Sequence, residues 1–263
     1  MKYYIPILFQ KLGFKIISSP NSGFEYLLQK KRYQKLSVNL ADVPFEIADS
    51  TSFYWSHREI FVDEIYKFRC DKDCPNIIDC GSNYGTSIVY FKQLYPNAKI
   101  NGIEADPNIF EILDKNINER NYKNVNLLNK AISNENGLIH FFSEGADGGR
   151  TYKMDAPRQT DEVETIDIDE LINGEVDFLK MDIEGAETDV LCKSQKLGQV
   201  NQMFIEYHSF ADEKQKLAEL LSCLSKNNFR YYIHTQFCSK KRLIENETQL
   251  GMDSQLNIFE NRN

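Results

Sequence analysis

The chain has 263 residues, with 31 Lys and Arg against 39 Asp and Glu, a formal net charge of -8 at pH 7, 41% hydrophobic and 27% charged residues. That length accommodates one large α/β domain with an N-terminal extension, and the composition is that of a folded globular protein. The acidic balance argues against nucleic acid or an anionic membrane as the main partner, and no stretch has the about 20 consecutive apolar residues a membrane span needs.

The first ten residues carry a short apolar run. Pro6 interrupts it and no small-residue cleavage site follows, so the run is expected to be structural rather than a leader. Residues 1–70 are rich in aromatics and mixed charge, and are expected to form a helical cap over a domain spanning 71–263. Within the cap, residues 54–68 fit a helix with Ile60, Phe61, Ile65 and Phe68 on one face. His57, Arg58 and Glu59 are within reach of a ligand there, but read first as solvated helix residues.

From residue 76 onward strands and helices alternate. Strands are expected at 76–80, 99–104, 125–132, 177–182, 202–207, 229–235 and 255–260, with an added strand at 137–143. Helices are expected at 86–94, where Pro96 stops the run, at 108–120 after Pro107, from the end of the fourth strand through 192, and at 213–227. This order predicts a seven-stranded, mostly parallel sheet with helices on both faces, its last strand pair antiparallel. The six cysteines include one close pair, Cys70 and Cys74, too few for a zinc set. They are expected to be reduced thiols of a cytoplasmic protein, with Cys80 buried.

The most informative stretch is Ile77-Ile78-Asp79-Cys80-Gly81-Ser82-Asn83-Tyr84-Gly85-Thr86. A buried strand ending in a glycine turn that opens a helix lets a ligand lie against backbone. A dinucleotide site needs a third glycine in G-x-G-x-x-G, and a P-loop needs G-K-[ST]; Gly81-Ser82-Asn83-Tyr84-Gly85 followed by Thr86 and Ser87 offers neither. Asp79 beside the first glycine suits a ligand carrying an ammonium and would repel a diphosphate. Glu104 follows Gly81 by 23 residues, at the end of the next strand, where a carboxylate can accept both hydroxyls of a ribose.

The second anchor is Val176-Asp177-Phe178-Leu179-Lys180-Met181-Asp182-Ile183-Glu184-Gly185-Ala186-Glu187. Together with the Asp-x-Gly-x-x-x-Gly turn and Glu104-Ala105-Asp106-Pro107, it resembles the FkbM family of S-adenosylmethionine-dependent methyltransferases over about residues 54–210. The Lys-x-Asp-x-Glu-Gly-x-Glu block is the specific part of that match. The resemblance implies a class I methyltransferase (Rossmann-like) fold and methyl transfer to oxygen, often on sugars or natural products. Carried over residue by residue, it implies that Asp79, Gly81, Asn83 and Gly85 hold the methionine end of S-adenosylmethionine and Glu104 the ribose. Lys130, Ala131 and Ile132 would then lie near the adenine, and Asp182 at the sulfonium.

Removal of a hydroxyl proton needs a base beside the acceptor. Asp182 closes the fourth strand, and Glu206 and His208 share one side of the fifth. His208 has a suitable intrinsic pKa for that base. The same three residues would be the ligand set if a divalent metal is used. Glu184, Arg150 and Lys153 are assigned to the acceptor side, with Arg150 and Lys153 beside glycines where a phosphate could be held. The expected partner is thus a small-molecule or saccharide acceptor, with or without phosphate, and a homodimer is compatible with the surface composition. Two alternatives stay open: methylation of another small natural product, and a non-catalytic module that binds the cofactor or a partner.

Overall fold

The computed structural model describes residues 23–142, 150–151 and 161–262. A 3-10 turn at Glu25–Gln29 precedes a hairpin of β1 (Leu36–Leu40) and β2 (Val43–Ile47), then α1 (Ser50–His57), which runs on as a π-helical turn at Arg58–Val62. Asp49 caps α1 by accepting from the backbone N–H of Thr51 at 3.1 Å and of Ser52 at 2.9 Å. The central unit follows: β3 (Asn76–Cys80), α2 (Thr86–Leu94), β4 (Lys99–Glu104), α3 (Pro107–Asn118) and β5 (Val125–Asn129). Next come β6 (Ala131–Ser133), β7 (Gly137–Phe142), β8 (Arg150–Thr151), β9 (Asp161–Asp167) and the short α4 (Ile168–Leu171). The chain ends with β10 (Val176–Met181), α5 (Glu187–Lys193), β11 (Val200–Phe210), α6 (Leu217–Lys226), β12 (Phe229–Cys238) and β13 (Met252–Arg262).

The main sheet has seven strands in the order β12-β13-β11-β10-β3-β4-β5. Strand β13 is antiparallel to both neighbours, and the other pairings are parallel. Neighbouring residues of the central strands serve opposite faces, as the period of two requires. Ile77, Phe178 and Phe204 belong to one hydrophobic core, and Ile78, Leu179 and Ile205 to the other. The first core also contains Phe45, Phe53, Ile88 and Phe91, so the hairpin and α1 bury the same face as α2 and α3.

Polar contacts fix the N-terminal elements onto that layer. Asn116, fully buried on α3, accepts from Glu46 N at 2.7 Å and donates to Glu46 O at 2.9 Å and Tyr84 O at 3.0 Å. Arg120 reaches Leu40 O at 2.8 Å. The cap is therefore helix plus hairpin rather than helical throughout. The alternation of residues 36–40 is clear, but the turn is Ala41-Asp42 with φ of 52° and 62°, and it lacks the Asn-Gly or Asp-Gly signal of such hairpins. Two further departures concern the third strand, which breaks at Lys130 into β5 and β6, and the acidic β9. Strand β9 joins β6 and β7 in a four-stranded sheet with β8. Residues 1–22, 143–149 and 152–160, including the N-terminal apolar run and Lys153, lie outside the described residues.

Candidate active site

The C-terminal ends of β3, β4, β10 and β11, with the residues after β5, open on one cavity of about 710 Å³, roofed by α1 and its π turn. A crevice at the strand ends next to the first strand is where open α/β sheets bind ligands, and this volume suits a cofactor with part of a second molecule.

At one end lies the turn after β3. Gly81 has φ of 82°, and a Cβ there would sit 1.9 Å from Asp182 O, so only glycine lets the turn pass this close to β10. The amides of Gly81 and Ser82 both donate to Ile103 O at 2.9 Å, tying the turn to β4. Asn83, with φ of 47°, sends its backbone N–H to Glu104 Oε2 at 2.9 Å, while Glu104 Oε1 accepts from Asp106 N at the same distance. Burial pushes the Glu104 carboxyl up to about 7, against the pull of those two N–H donors. Gly81, Asn83, Glu104, Lys130, Ala131 and Ile132 all line the cavity.

Two expected contacts sit farther back. Asp79 is fully buried behind the turn, where its Oδ2 accepts from Ser87 Oγ at 2.5 Å and its Oδ1 lies 3.5 Å from Lys180 Nζ. It is not among the lining residues, so its reach toward the cavity passes through Lys180. Gly85 is the N-terminal cap of α2 and packs on Leu113 and Ile117, again off the lining.

Sequence spacing alone gives Lys180 no role. Its Nζ donates to Gly81 O at 2.7 Å and Cys80 O at 3.3 Å, and lies 3.3 Å from Asp182 Oδ2. Burial works against this charge, but Asp182, Asp79 and Glu206 outweigh it and raise the pKa further. The register pairs Lys180 with Asp79 on the adjoining strand, a signal available only once the strands are aligned. Tyr66, also unassigned from the sequence, lines the cavity with its ring 5.6 Å from Lys180 Nζ.

The other end holds Asp182, Glu184, Glu206 and His208. His208 Nδ1 lies 3.1 Å from Glu187 Oε1, and a carboxylate can only accept, so Nδ1 carries the hydrogen. Nε2 lies 3.5 Å from Glu184 Oε2. Burial disfavours the imidazolium, but Glu184, Glu187 and Glu206 outweigh it and hold His208 well above its ordinary pKa. Burial and Asp182 raise the Glu206 carboxyl, and Gln255 donates to its Oε1. Asp182, Glu184 and His208 bring carboxylate and imidazole atoms within 4.8 Å of one another, and Glu206 lines the same end.

In the roof, Trp55, Ser56, Glu59 and Ile60 line the cavity, and Gln236 on β12 donates to Glu59 at 2.7 Å. His57 points into the core instead, stacked on Phe61 at 4.9 Å, with burial lowering its pKa to about 4. Arg58 is not among the lining residues. Arg150 is placed by its backbone in β8, but its side chain, like all of Lys153, lies outside the described residues.

A glycine turn facing a strand-end acid, on a sheet whose one reversed strand lies second from the edge, is the arrangement of the class I methyltransferase fold. The FkbM methyltransferase domain profile matches residues 79–231, more than half of the chain, and the chain belongs to that family. It is 28% identical over 160 residues to Methyltransferase 1 of Beauveria bassiana, covering 51% of this chain and 64% of that protein. It is 33% identical over 78 residues to Methyltransferase sdnD of Sordaria araneosa, covering 27% of this chain and 30% of that one. The chain thus spans under two thirds of the length of these relatives. A crystal structure of an FkbM methyltransferase from Methylobacillus flagellatus superposes over 89% of this chain and 57% of that one, with a TM-score of 0.43 and 15% identity.

Proposed function

We propose that this protein transfers a methyl group from S-adenosylmethionine to a hydroxyl of a carbohydrate or phosphorylated sugar-like acceptor. The observation that carries the reading is one cavity with the Gly81 turn and Glu104 at one end and Asp182, Glu206 and His208 at the other. The residues present fit the cofactor. Glu104 is a part-buried carboxylate with only two backbone donors, able to accept two ribose hydroxyls as well. Ala131 and Ile132 offer an apolar wall for a base, and the strand-close turn at Gly81 brings backbone to the methionine end.

When bound, S-adenosylmethionine supplies an electrophilic methyl group on its sulfonium. The protein's part is placement and proton transfer. Lys180 fixes the turn by holding Gly81 O, and Asp79 holds Lys180 in turn. Asp182, Glu206 and His208 stand together at the acceptor end as the candidates for taking the hydroxyl proton, with Gln255 donating to Glu206 Oε1. The acceptor loses that proton as its oxygen gains the methyl group. The Gln236–Glu59 hydrogen bond joins α1's extension to β12 across the cavity.

Trp55 supports a saccharide acceptor. It is the single tryptophan of the chain, lines the cavity and is 50% exposed, a flat apolar surface on which the C–H face of a sugar ring can stack. Arg150 and Lys153 are retained as the contacts of a phosphate on that acceptor. The cysteines, all free, support a reducing compartment such as the cytoplasm. A panel of glycosides and sugar nucleotides, titrated in the presence of S-adenosylhomocysteine, tests the reading through Trp55 fluorescence. Saturable quenching by one class, with acceptor KM raised about tenfold in Trp55→Ala, is expected for a ring stacked at this site. Unchanged KM in Trp55→Ala would remove the saccharide assignment.

A further inference from the structure

We propose that Cys192 and Cys223 are a modifiable thiol pair, which a small disulfide such as glutathione disulfide oxidises to a bond joining α5 to α6. The inference stands apart from the methyltransferase reading, since neither residue lines the cavity. Each thiol lies against the other's helix. Cys192 Sγ donates to Glu219 O of α6 at 3.7 Å, and Cys223 Sγ donates to Leu191 O of α5 at 3.6 Å. Glu219 stands one helical turn before Cys223, and Leu191 directly precedes Cys192. The two sulfurs therefore share one crossing point, where the thiols also hydrogen-bond to each other.

Packing and charge set this crossing up. Val190 and Leu191 of α5 and Leu220 and Leu224 of α6 are buried in the second core, which brings the two helices together. Cys223 follows Leu220 by three residues, so it shares that apolar face and packs on the rim of the core. Asp189 of α5 pairs with Lys216, the N-terminal cap of α6, at 2.5 Å and ties the same helices a second time. A disulfide needs two thiols brought together in a narrow geometry, and here the fold holds the two sulfurs in contact while both are reduced. Cys223 is half-buried but Cys192 is exposed, so an oxidant in solution can reach the pair.

The oxidation runs as two exchanges. One thiolate of the pair attacks a sulfur of glutathione disulfide, forms a mixed disulfide and releases one glutathione. The other thiolate then attacks the protein sulfur of that mixed disulfide, closes the Cys192–Cys223 bond and releases the second glutathione. Two electrons pass from the protein thiols to the oxidant, and their two protons end on the two glutathione thiols. Burial and the hydrogen bond with Cys223 push the Cys192 thiol up to about 12, so the exchange should quicken as pH rises. The closed bond would complete a ring of chain that contains β11, the strand that presents Glu206 and His208 to the cavity.

The test is incubation of the folded full chain with glutathione disulfide, then alkylation of the remaining thiols, digestion and mass spectrometry. A peptide pair linked through Cys192 and Cys223 is expected, lighter than the two reduced peptides by about 2 Da for the two hydrogens lost, with dithiothreitol restoring both thiols. The link should form faster at about pH 9 than at about pH 7. In Cys223→Ser the exchange should stop at a mixed disulfide between glutathione and the exposed Cys192, and a Tm equal to that of the reduced wild type shows that this variant is folded. Wild-type protein that keeps glutathione on either cysteine without closing the link, or in which both cysteines still alkylate after oxidation, would overturn the proposal.

Discussion

Gly81 and Glu104 do different work within one turn. Gly81 admits the approach of β10, and a methyl group in its place would meet Asp182 O at 1.9 Å with the backbone already at positive φ. Gly81→Ala should cost about 3 kcal/mol or more of folding stability and abolish cofactor binding, read by urea denaturation and calorimetry. Glu104 makes a prediction in pH. Burial raises its carboxyl to about 7 from an ordinary 4.5, so the stability it contributes is complete at low pH and is lost as pH rises through 7. Ribose hydroxyls donate to the ionised form. Affinity for S-adenosylhomocysteine should therefore be full above pH 7 and fall about tenfold per unit below it, and the slope should vanish in Glu104→Gln. A flat profile in the wild type would show that Glu104 does not meet the ligand.

Between elements, the joint that matters most is the one from hairpin to α3. Asn116 makes three hydrogen bonds there, all to backbone, and Asn116→Ala would leave their partners buried without a replacement. A loss of about 2–3 kcal/mol is expected in urea denaturation, with the roof that carries Trp55 loosened and acceptor KM raised. This joint also marks the limit of what could be read from the chain. Strand β3, its turn and Glu104 were legible because each depends on local pattern: an apolar run, a glycine, an acid at a strand end. The hairpin was hidden by its Ala41-Asp42 turn, and β9 by its acidic composition. The contacts of Lys180 and Tyr66 and the nearness of Glu184 to Asp182 and His208 depend on strand register and on the left-handed φ of Glu184, which sequence spacing does not carry.

Over the whole molecule, cap and sheet enclose one cavity, and residues from β1 to β13 contribute to the two cores that frame it. A ligand that bridges the strand ends should stabilise the molecule by mass action, about 2.7 kcal/mol at a hundredfold excess over Kd. The matching rise in Tm should be larger at pH 8 than at pH 6, because Glu104 is ionised at the higher value. No helix among the described residues is long and apolar enough to cross a membrane.

The central claim, that the Gly81–Glu104 end of this cavity holds S-adenosylmethionine, is tested most directly by calorimetric titration of S-adenosylhomocysteine into the wild type and Glu104→Ala at pH 8. One site of micromolar affinity, weakened at least about tenfold in Glu104→Ala by the loss of both ribose hydrogen bonds, is the predicted result. A folded wild type that takes up no S-adenosylhomocysteine, or a Glu104→Ala variant that binds it as tightly, would contradict the account.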